Sequence, residues 1–118
     1  MTPLSDLERL SHILDRIERI RIVETTLTLT ETREALSEEE KGAYDAILYN
    51  LLVIGEAVKS LSKEFTEVHS SVPWSKISGM RDFLAHQYFR IEQKTISDTT
   101  ELFLQPLKEF CEKILSEI

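Results

Sequence analysis

The residues with the clearest capacity for chemistry lie close together in one short segment of the chain. They are an arginine, an aspartate, a histidine and a tyrosine: Arg81, Asp82, His86 and Tyr88. On a helix, Asp82 and His86 are four residues apart and therefore lie on the same face. A carboxylate in that position can hold one imidazole nitrogen, which leaves the other nitrogen free to move a proton.

Cleavage of a phosphodiester bond in RNA is the reaction that suits these groups. The 2′-hydroxyl must lose a proton, and histidine is the side chain that exchanges protons near neutral pH. An arginine can grip the phosphate with two parallel hydrogen bonds and stabilise the charge that develops on it. Because the nucleophile belongs to the substrate, this reaction requires no metal, and we expect neither a metal nor another cofactor.

The spacing alone leaves a second interpretation open. Arg81 and His86 are five residues apart, or about 140° around a helix axis, so they do not share a face. They could converge on one phosphate at a cleft, most easily where two copies of the helix meet across a dimer. However, ion-paired residues on a helix surface are common and most do no catalysis. In that alternative, Arg81 and His86 are structural and the chain is a plain dimeric helical scaffold.

Other candidate groups point to packing or to the surface. Cys111 lies among apolar residues, and we expect it to be a buried packing residue rather than a nucleophile. His12 and His69 have polar neighbours, and we expect both at the surface. The sequence contains no glycine-rich phosphate loop, no HExxH pair and no serine in a nucleophile elbow.

Composition and charge narrow the class of protein. The chain has 118 residues and a formal net charge of −7, from 14 basic and 21 acidic residues. This length fits one domain, residues 1–118, and the acidic balance disfavours a protein that coats nucleic acids. The single cysteine excludes an intrachain disulfide and points to the reducing cytoplasm. We expect no signal peptide and no membrane span.

The first half of the chain predicts two helices, because apolar residues recur at steps of three and four. The first helix spans about residues 5–23, with Ser5 as its N-cap. Residues 25–36 are predicted to form a loop. A capping box between Ser37 and Glu40 begins a second helix of about 25 residues. Gly55 inside it permits the close approach of another backbone, either a neighbouring helix or a partner chain.

The second half predicts a connector and two more helices. Residues 62–72 form a polar connector with one short helical turn, and the next helix starts at Pro73 and reaches about residue 89. The last helix spans about residues 92–115, with Leu102 on its buried side, and Pro106 must kink or break it. The apolar face of the third long helix is predicted from six residues: Trp74, Ile77, Met80, Phe83, Leu84 and Tyr88. The fold class is an all-α, up-and-down bundle of four to five helices with a kinked last helix.

Residues 77–89 resemble the signature of HepT-like toxins, a branch of the HEPN superfamily. In that signature an arginine is followed by four residues, a histidine, one residue and a tyrosine, which Arg81, His86 and Tyr88 satisfy. Residues 50–58 are similar to the core of the family's long second helix. The similarity also includes the Val72-Pro73-Trp74 entry to the motif helix and residues 104–107 of the last helix, so nearly the whole chain is covered in the expected order.

The resemblance implies a dimeric, HEPN-like bundle in which two motif helices line a shared cleft. It implies a metal-independent endoribonuclease that is the toxin of a toxin–antitoxin system. By position, His86 would be the general base or acid, Arg81 would clamp the phosphate, and Asp82 would orient one of them. Glu56 would face the same cleft.

The resemblance also implies a partner, a nucleotidyltransferase antitoxin that transfers AMP to Tyr88. Phosphates added there would fill the cleft with negative charge and repel RNA. Because the chain itself is acidic, we expect a small structured target such as a tRNA end or loop. The alternative within the superfamily is a non-catalytic module that binds the nucleotidyltransferase and presents a nucleotide or substrate.

Overall fold

The computed structural model describes residues 2–24, 35–87 and 98–117. Within these ranges the chain is helical and contains no strand, which confirms the predicted all-α fold class. The helices are α1 (Leu4–Glu24), α2 (Glu38–Lys59), α3 (Lys63–Val68), α4 (Trp74–Gln87) and α5 (Gln105–Ser116), and a π-helical segment (Thr100–Leu104) leads into α5. Most of the loop predicted at 25–36, the predicted start of the last helix and Tyr88 lie outside the described residues. No helix in the described ranges is long and apolar enough to cross a membrane.

Helix α1 packs against α2 and α5 through a stripe of fully buried apolar residues: Leu10, Ile13, Ile17 and Ile20. The helix begins earlier than predicted, because the Pro3 carbonyl accepts the first intrahelical bond from the Leu7 amide at 3.1 Å. Ser5 therefore lies inside the first turn, and its predicted role as the N-cap is wrong.

Helix α2 is the central helix, and it packs against both α1 and α4. The predicted capping box is present at its start. The Ser37 hydroxyl oxygen accepts from the Glu40 amide at 3.2 Å, and the Glu40 carboxylate accepts from the Ser37 amide at 3.3 Å. Its buried stripe recurs at helical spacing through Tyr44, Ile47, Leu48, Leu51, Ile54 and Val58.

A buried carboxylate ties the start of α1 to the junction between α2 and α3. Asp6 is only 1% exposed, and it accepts hydrogen bonds from the Ser62 amide at 2.9 Å and the Ser62 hydroxyl at 2.7 Å. The same hydroxyl oxygen accepts from the Phe65 amide at 3.1 Å and so caps α3, the short turn predicted in the connector. Asp6 therefore accepts hydrogen bonds from two donors of Ser62, and its negative charge also interacts favourably with the positive N-terminal end of α1.

Helix α4 buries a narrower face than the sequence pattern predicts. Trp74, Ile77 and Leu84 are buried and Met80 is partly buried, whereas Phe83 is 52% exposed. Phe83 follows Ile77 by six residues, or about 240° around the axis, so it cannot share the face that Ile77 and Leu84 bury. The predicted burial of Phe83 is wrong for this reason.

The interruption predicted at Pro106 is a π-helical segment that immediately precedes α5. Pro106 lies in the first turn of α5, where its missing N–H costs little. The wider π turn before it relieves the clash of the proline ring with the preceding carbonyls. The buried side runs through Leu104, Leu107 and Cys111, while Leu102 is 67% exposed. The predicted burial of Leu102 is therefore wrong, because Leu102 and the buried Leu104 are two residues apart and lie on nearly opposite sides of the helix.

Candidate active site

The position of α4 is set by a close contact between Gly55 of α2 and Arg81 of α4. A Cβ atom built on Gly55 would overlap the Arg81 Cβ, and it would lie 2.8 Å from the Cγ and 3.3 Å from the Cα of that residue. The two helices meet at this point because glycine has no side chain. The close approach that the sequence predicts at Gly55 is therefore made by a neighbouring helix of the same chain.

The guanidinium group of Arg81 is held by carboxylates from both helices. Its Nε atom lies 3.2 Å from Oε2 of Glu56, and its Nη1 atom lies 3.1 Å from Oδ1 of Asp82. The Arg81 side chain is 34% exposed, so the group is partly sheltered and still reachable from solvent. Glu56, which the family resemblance places near the motif, is the next residue after Gly55 and directly contacts Arg81.

Asp82 is shared between two cations. Its Oδ1 atom contacts Arg81 and also lies 3.4 Å from Nζ of Lys59, a residue of α2. The hydrogen bond from Arg81, followed by that from Lys59, lowers the pKa of the Asp82 carboxyl below its ordinary value of 3.8. The carboxylate is therefore charged at neutral pH. The contacts of the described residues join Asp82 to these cations and not to His86.

His86 lies in the last turn of α4 and is exposed to solvent. It is five residues beyond Arg81, which is about 7.5 Å along the helix axis. The structure thus brings Glu56, Lys59 and Asp82 around Arg81, and it places His86 further along the same helix. Tyr88 lies outside the described residues.

Lys59 is the member of this cluster that the sequence analysis missed. It follows Glu56 by three residues, a spacing that puts both side chains on one face of α2. Once Gly55 is taken as the crossing point with α4, that face is the one turned toward Arg81 and Asp82. The spacing between Glu56 and Lys59 is therefore visible in the sequence, but it points to Lys59 only once the helix that Gly55 contacts is known.

The other histidines differ from each other in their surroundings. His12 is exposed, as predicted, and its Nε2 atom accepts a hydrogen bond from Nε of Arg16 at 3.3 Å. His69 is half-buried, with its ring centroid 4.6 Å from that of Phe65 and 5.3 Å from that of Phe110. The expectation of a surface position for His69 is wrong, because the turn after α3 folds the ring onto these aromatic side chains.

Cys111 is fully buried, as predicted, and burial raises the pKa of its thiol to about 12. The thiol is therefore protonated at neutral pH and acts as a packing group. In the parts of the chain that the structure describes, no three histidine, cysteine, aspartate or glutamate residues form a group that could hold a metal ion.

Comparison with known proteins places this arrangement in a family. The model of the family described as ribonuclease HepT-like matches residues 10–114, which include Gly55, Arg81 and His86. A probable ribonuclease HepT of Thermococcus cleftensis is 30% identical over 106 residues, which cover 87% of this chain and 92% of that protein. No solved structure matches the chain significantly.

Two further relatives are matched over only part of their length. A candidate RNase of Caldanaerobacter subterraneus is 44% identical over 72 residues, which cover 61% of this chain and 64% of that protein. A protein of Methanocaldococcus jannaschii, named a gamma-glutamylcyclotransferase and candidate RNase, is 35% identical over 109 residues, which cover 92% of this chain and 47% of its own length. The family match nevertheless extends over most of the chain, and the chain belongs to the ribonuclease HepT-like family.

Proposed function

We propose that the chain is a metal-independent endoribonuclease and the toxin of a toxin–antitoxin system. The family and the RNase names of its relatives support this activity. The structural observation that carries the proposal is the placement of Arg81 and His86. A guanidinium group is held in one position by two carboxylates, and an exposed imidazole lies further along the same helix.

Arg81 is assigned the role of the phosphate clamp. Its Nε atom is engaged by Glu56 and its Nη1 atom by Asp82, and the guanidinium group carries further N–H groups that can donate to a phosphate. Both carboxylates are about half exposed, so they hold the group without enclosing it. They also repel a phosphate, which weakens binding to an arbitrary RNA strand. This balance favours a structured target that supplies additional contacts, such as a tRNA end or loop.

His86 is assigned the proton transfer. As a general base it takes the proton of the 2′-hydroxyl, the 2′ oxygen attacks the phosphorus atom, and the bond from phosphorus to the 5′ oxygen breaks. The leaving 5′ oxygen takes up a proton from water. The products are a 2′,3′-cyclic phosphate and a 5′-hydroxyl end. The expected homodimer would help, because Arg81 of one copy and His86 of the other can face one phosphate across a shared cleft.

The proposed antitoxin is a nucleotidyltransferase that transfers AMP from ATP to Tyr88. The tyrosine oxygen attacks the α-phosphorus of ATP, a new phosphodiester bond forms, and pyrophosphate leaves. Tyr88 is two residues beyond His86 in the sequence motif, and the proposal requires the added phosphate to reach Arg81 and His86. Its negative charge would occupy the clamp and repel RNA.

The first experiment compares the 3′ ends of cellular RNA after a short pulse of expression. We expect new ends carrying a cyclic phosphate in a defined RNA with the parent chain and none with His86→Ala. His12→Ala is the matched control, since His12 is an exposed histidine on a different helix, and it should cleave like the parent. The same new ends from His86→Ala would remove the catalytic assignment of His86, and no new ends with either chain would favour the non-catalytic binding module.

A second experiment tests the partner separately. The purified chain is incubated with the nucleotidyltransferase and ATP, and its intact mass is measured. We expect a mass increase equal to one or more AMP groups, absent in Tyr88→Phe and retained in Tyr49→Phe, whose tyrosine is 59% exposed. An unmodified parent chain, or a modified Tyr88→Phe, would contradict the assignment of Tyr88.

A further inference from the structure

An apolar groove lies between the start of α4 and the last helix, and its lining does not include Arg81 or Gly55. Its volume is about 510 Å³, within the range of about 300–1,000 Å³ that is typical of small-molecule sites. Its wall includes five apolar side chains: Val72, Ile77, Phe103, Leu107 and Phe110. Leu102, also in the wall, is 67% exposed. Leu102 belongs to the π-helical segment that leads into α5.

The lysines of this groove differ from the other lysines of the described chain. Four lysines form ion pairs with carboxylates: Lys41, Lys59, Lys63 and Lys108. Within residues 2–24, 35–87 and 98–117, Lys76 and Lys113 have no ion-pair partner, and both line the groove. One carboxylate, that of Glu109, also lines it and accepts a hydrogen bond from Gln105 at 3.1 Å. Two lysines and one glutamate leave a net lining charge of +1.

The backbone adds to this positive character. Ser71, Val72 and Pro73 line the groove where α4 begins, and the first turn of α4 contains no acidic residue. By contrast, α2 has three glutamates in its first turn and α3 has one. The partial positive charge of the α4 N-terminus is therefore not offset by a side chain of its own first turn.

We propose that this groove binds a small apolar molecule that carries one negative charge, such as a medium-chain carboxylate. The apolar wall takes the hydrocarbon part, and Lys76 and Lys113 take the carboxylate. A single charge matches the net lining charge, and the volume matches a small molecule. The site is separate from Arg81, because its lining on α4 ends at Ile77, one helical turn before Arg81, and includes neither Arg81 nor the residues that contact it.

The test is a calorimetric titration of the purified chain with octanoate, with octanol as the uncharged analogue. We expect saturable binding of one octanoate per chain, much weaker binding of octanol, and a higher melting temperature with octanoate present. The double variant Lys76→Gln with Lys113→Gln keeps most of each side chain and should weaken octanoate binding about ten-fold. Lys63→Gln is the matched control, because Lys63 is 89% exposed and lies outside the groove.

A variant at the exposed rim tests the apolar wall without disturbing the core. Leu102→Glu adds a negative charge there and should abolish octanoate binding, whereas Leu102→Gln should reduce it less. The melting temperatures of the ligand-free variants report whether they fold. The proposal is overturned if the parent chain does not bind octanoate, if octanol binds equally well, or if Lys63→Gln weakens binding as much as the double variant.

Discussion

Replacement of Gly55 by alanine is the most direct test of how Arg81 is positioned. The new Cβ would overlap the Cβ of Arg81, and it would lie 3.3 Å from the Cα of that residue. These atoms are attached to the α4 backbone, so they cannot turn away as the end of a flexible side chain can. We therefore expect α4 to move away from α2, which would also disturb the contact between Arg81 and Glu56.

Two opposing effects decide the size of the change. Alanine favours a helix over glycine by about 1 kcal/mol. Overpacking costs about 1–3 kcal/mol, and contact with atoms at the backbone places this site near the upper end of that range. The net expectation is a loss of about 2 kcal/mol in the free energy of unfolding.

The chain offers two matched controls for this experiment. Gly42 in α2 and Gly79 in α4 have nothing within 4 Å of an added Cβ, so Gly42→Ala and Gly79→Ala should each stabilise the fold by about 1 kcal/mol. Urea unfolding, followed by the fluorescence of the single tryptophan Trp74, measures all three variants. A Gly55→Ala variant as stable as Gly42→Ala would refute the helix contact.

Three further predictions concern buried or charged groups. Asp6→Ala should lower the free energy of unfolding by about 2 kcal/mol, because two donors of Ser62 lose a buried acceptor. The control Asp15→Ala removes an exposed carboxylate and should change the free energy of unfolding by less than about 0.5 kcal/mol. Thermal unfolding measures both variants. The lowered pKa of Asp82 means that its ionised form favours the folded state. At neutral pH the parent chain should therefore be more stable than Asp82→Asn. This difference should vanish as the pH falls below 3.8, the ordinary pKa, and through the lowered pKa of the folded state. Urea titrations of both chains at several pH values would show it. Because burial raises the pKa of Cys111 to about 12, mass spectrometry should find that iodoacetamide labels it slowly in the native chain and quickly in denaturant.

Local features of the fold could be predicted because they depend on neighbouring residues. The capping box at Ser37 requires a hydroxyl and a carboxylate three residues apart, and it forms where the sequence predicts it. The buried stripe of α2 follows helical spacing without interruption. A glycine inside a helix indicates a close backbone contact, so the contact at Gly55 could be predicted from the sequence. The helix that makes this contact could not.

Other features depend on the whole fold and could not be predicted from local pattern. The burial of Asp6 requires the junction at Ser62 to meet the start of α1. The π-helical segment before α5 could not be predicted either, because one such turn departs from the regular spacing on which sequence patterns rest. In the candidate site, Arg81 and His86 were recognised from the motif, whereas Lys59 contacts Asp82 only through the packing of α2 on α4.

The hydrogen bonds between Asp6 and Ser62 connect residues that are 56 positions apart in the chain. Such a contact cannot form until the intervening helices have been brought together, and each small opening of the first turn of α1 breaks it. The amide proton of Ser62 is therefore a reporter of that opening. Its rate of hydrogen exchange, compared with amides in the middle of α2, would show whether the start of the chain detaches independently or only when the whole bundle unfolds.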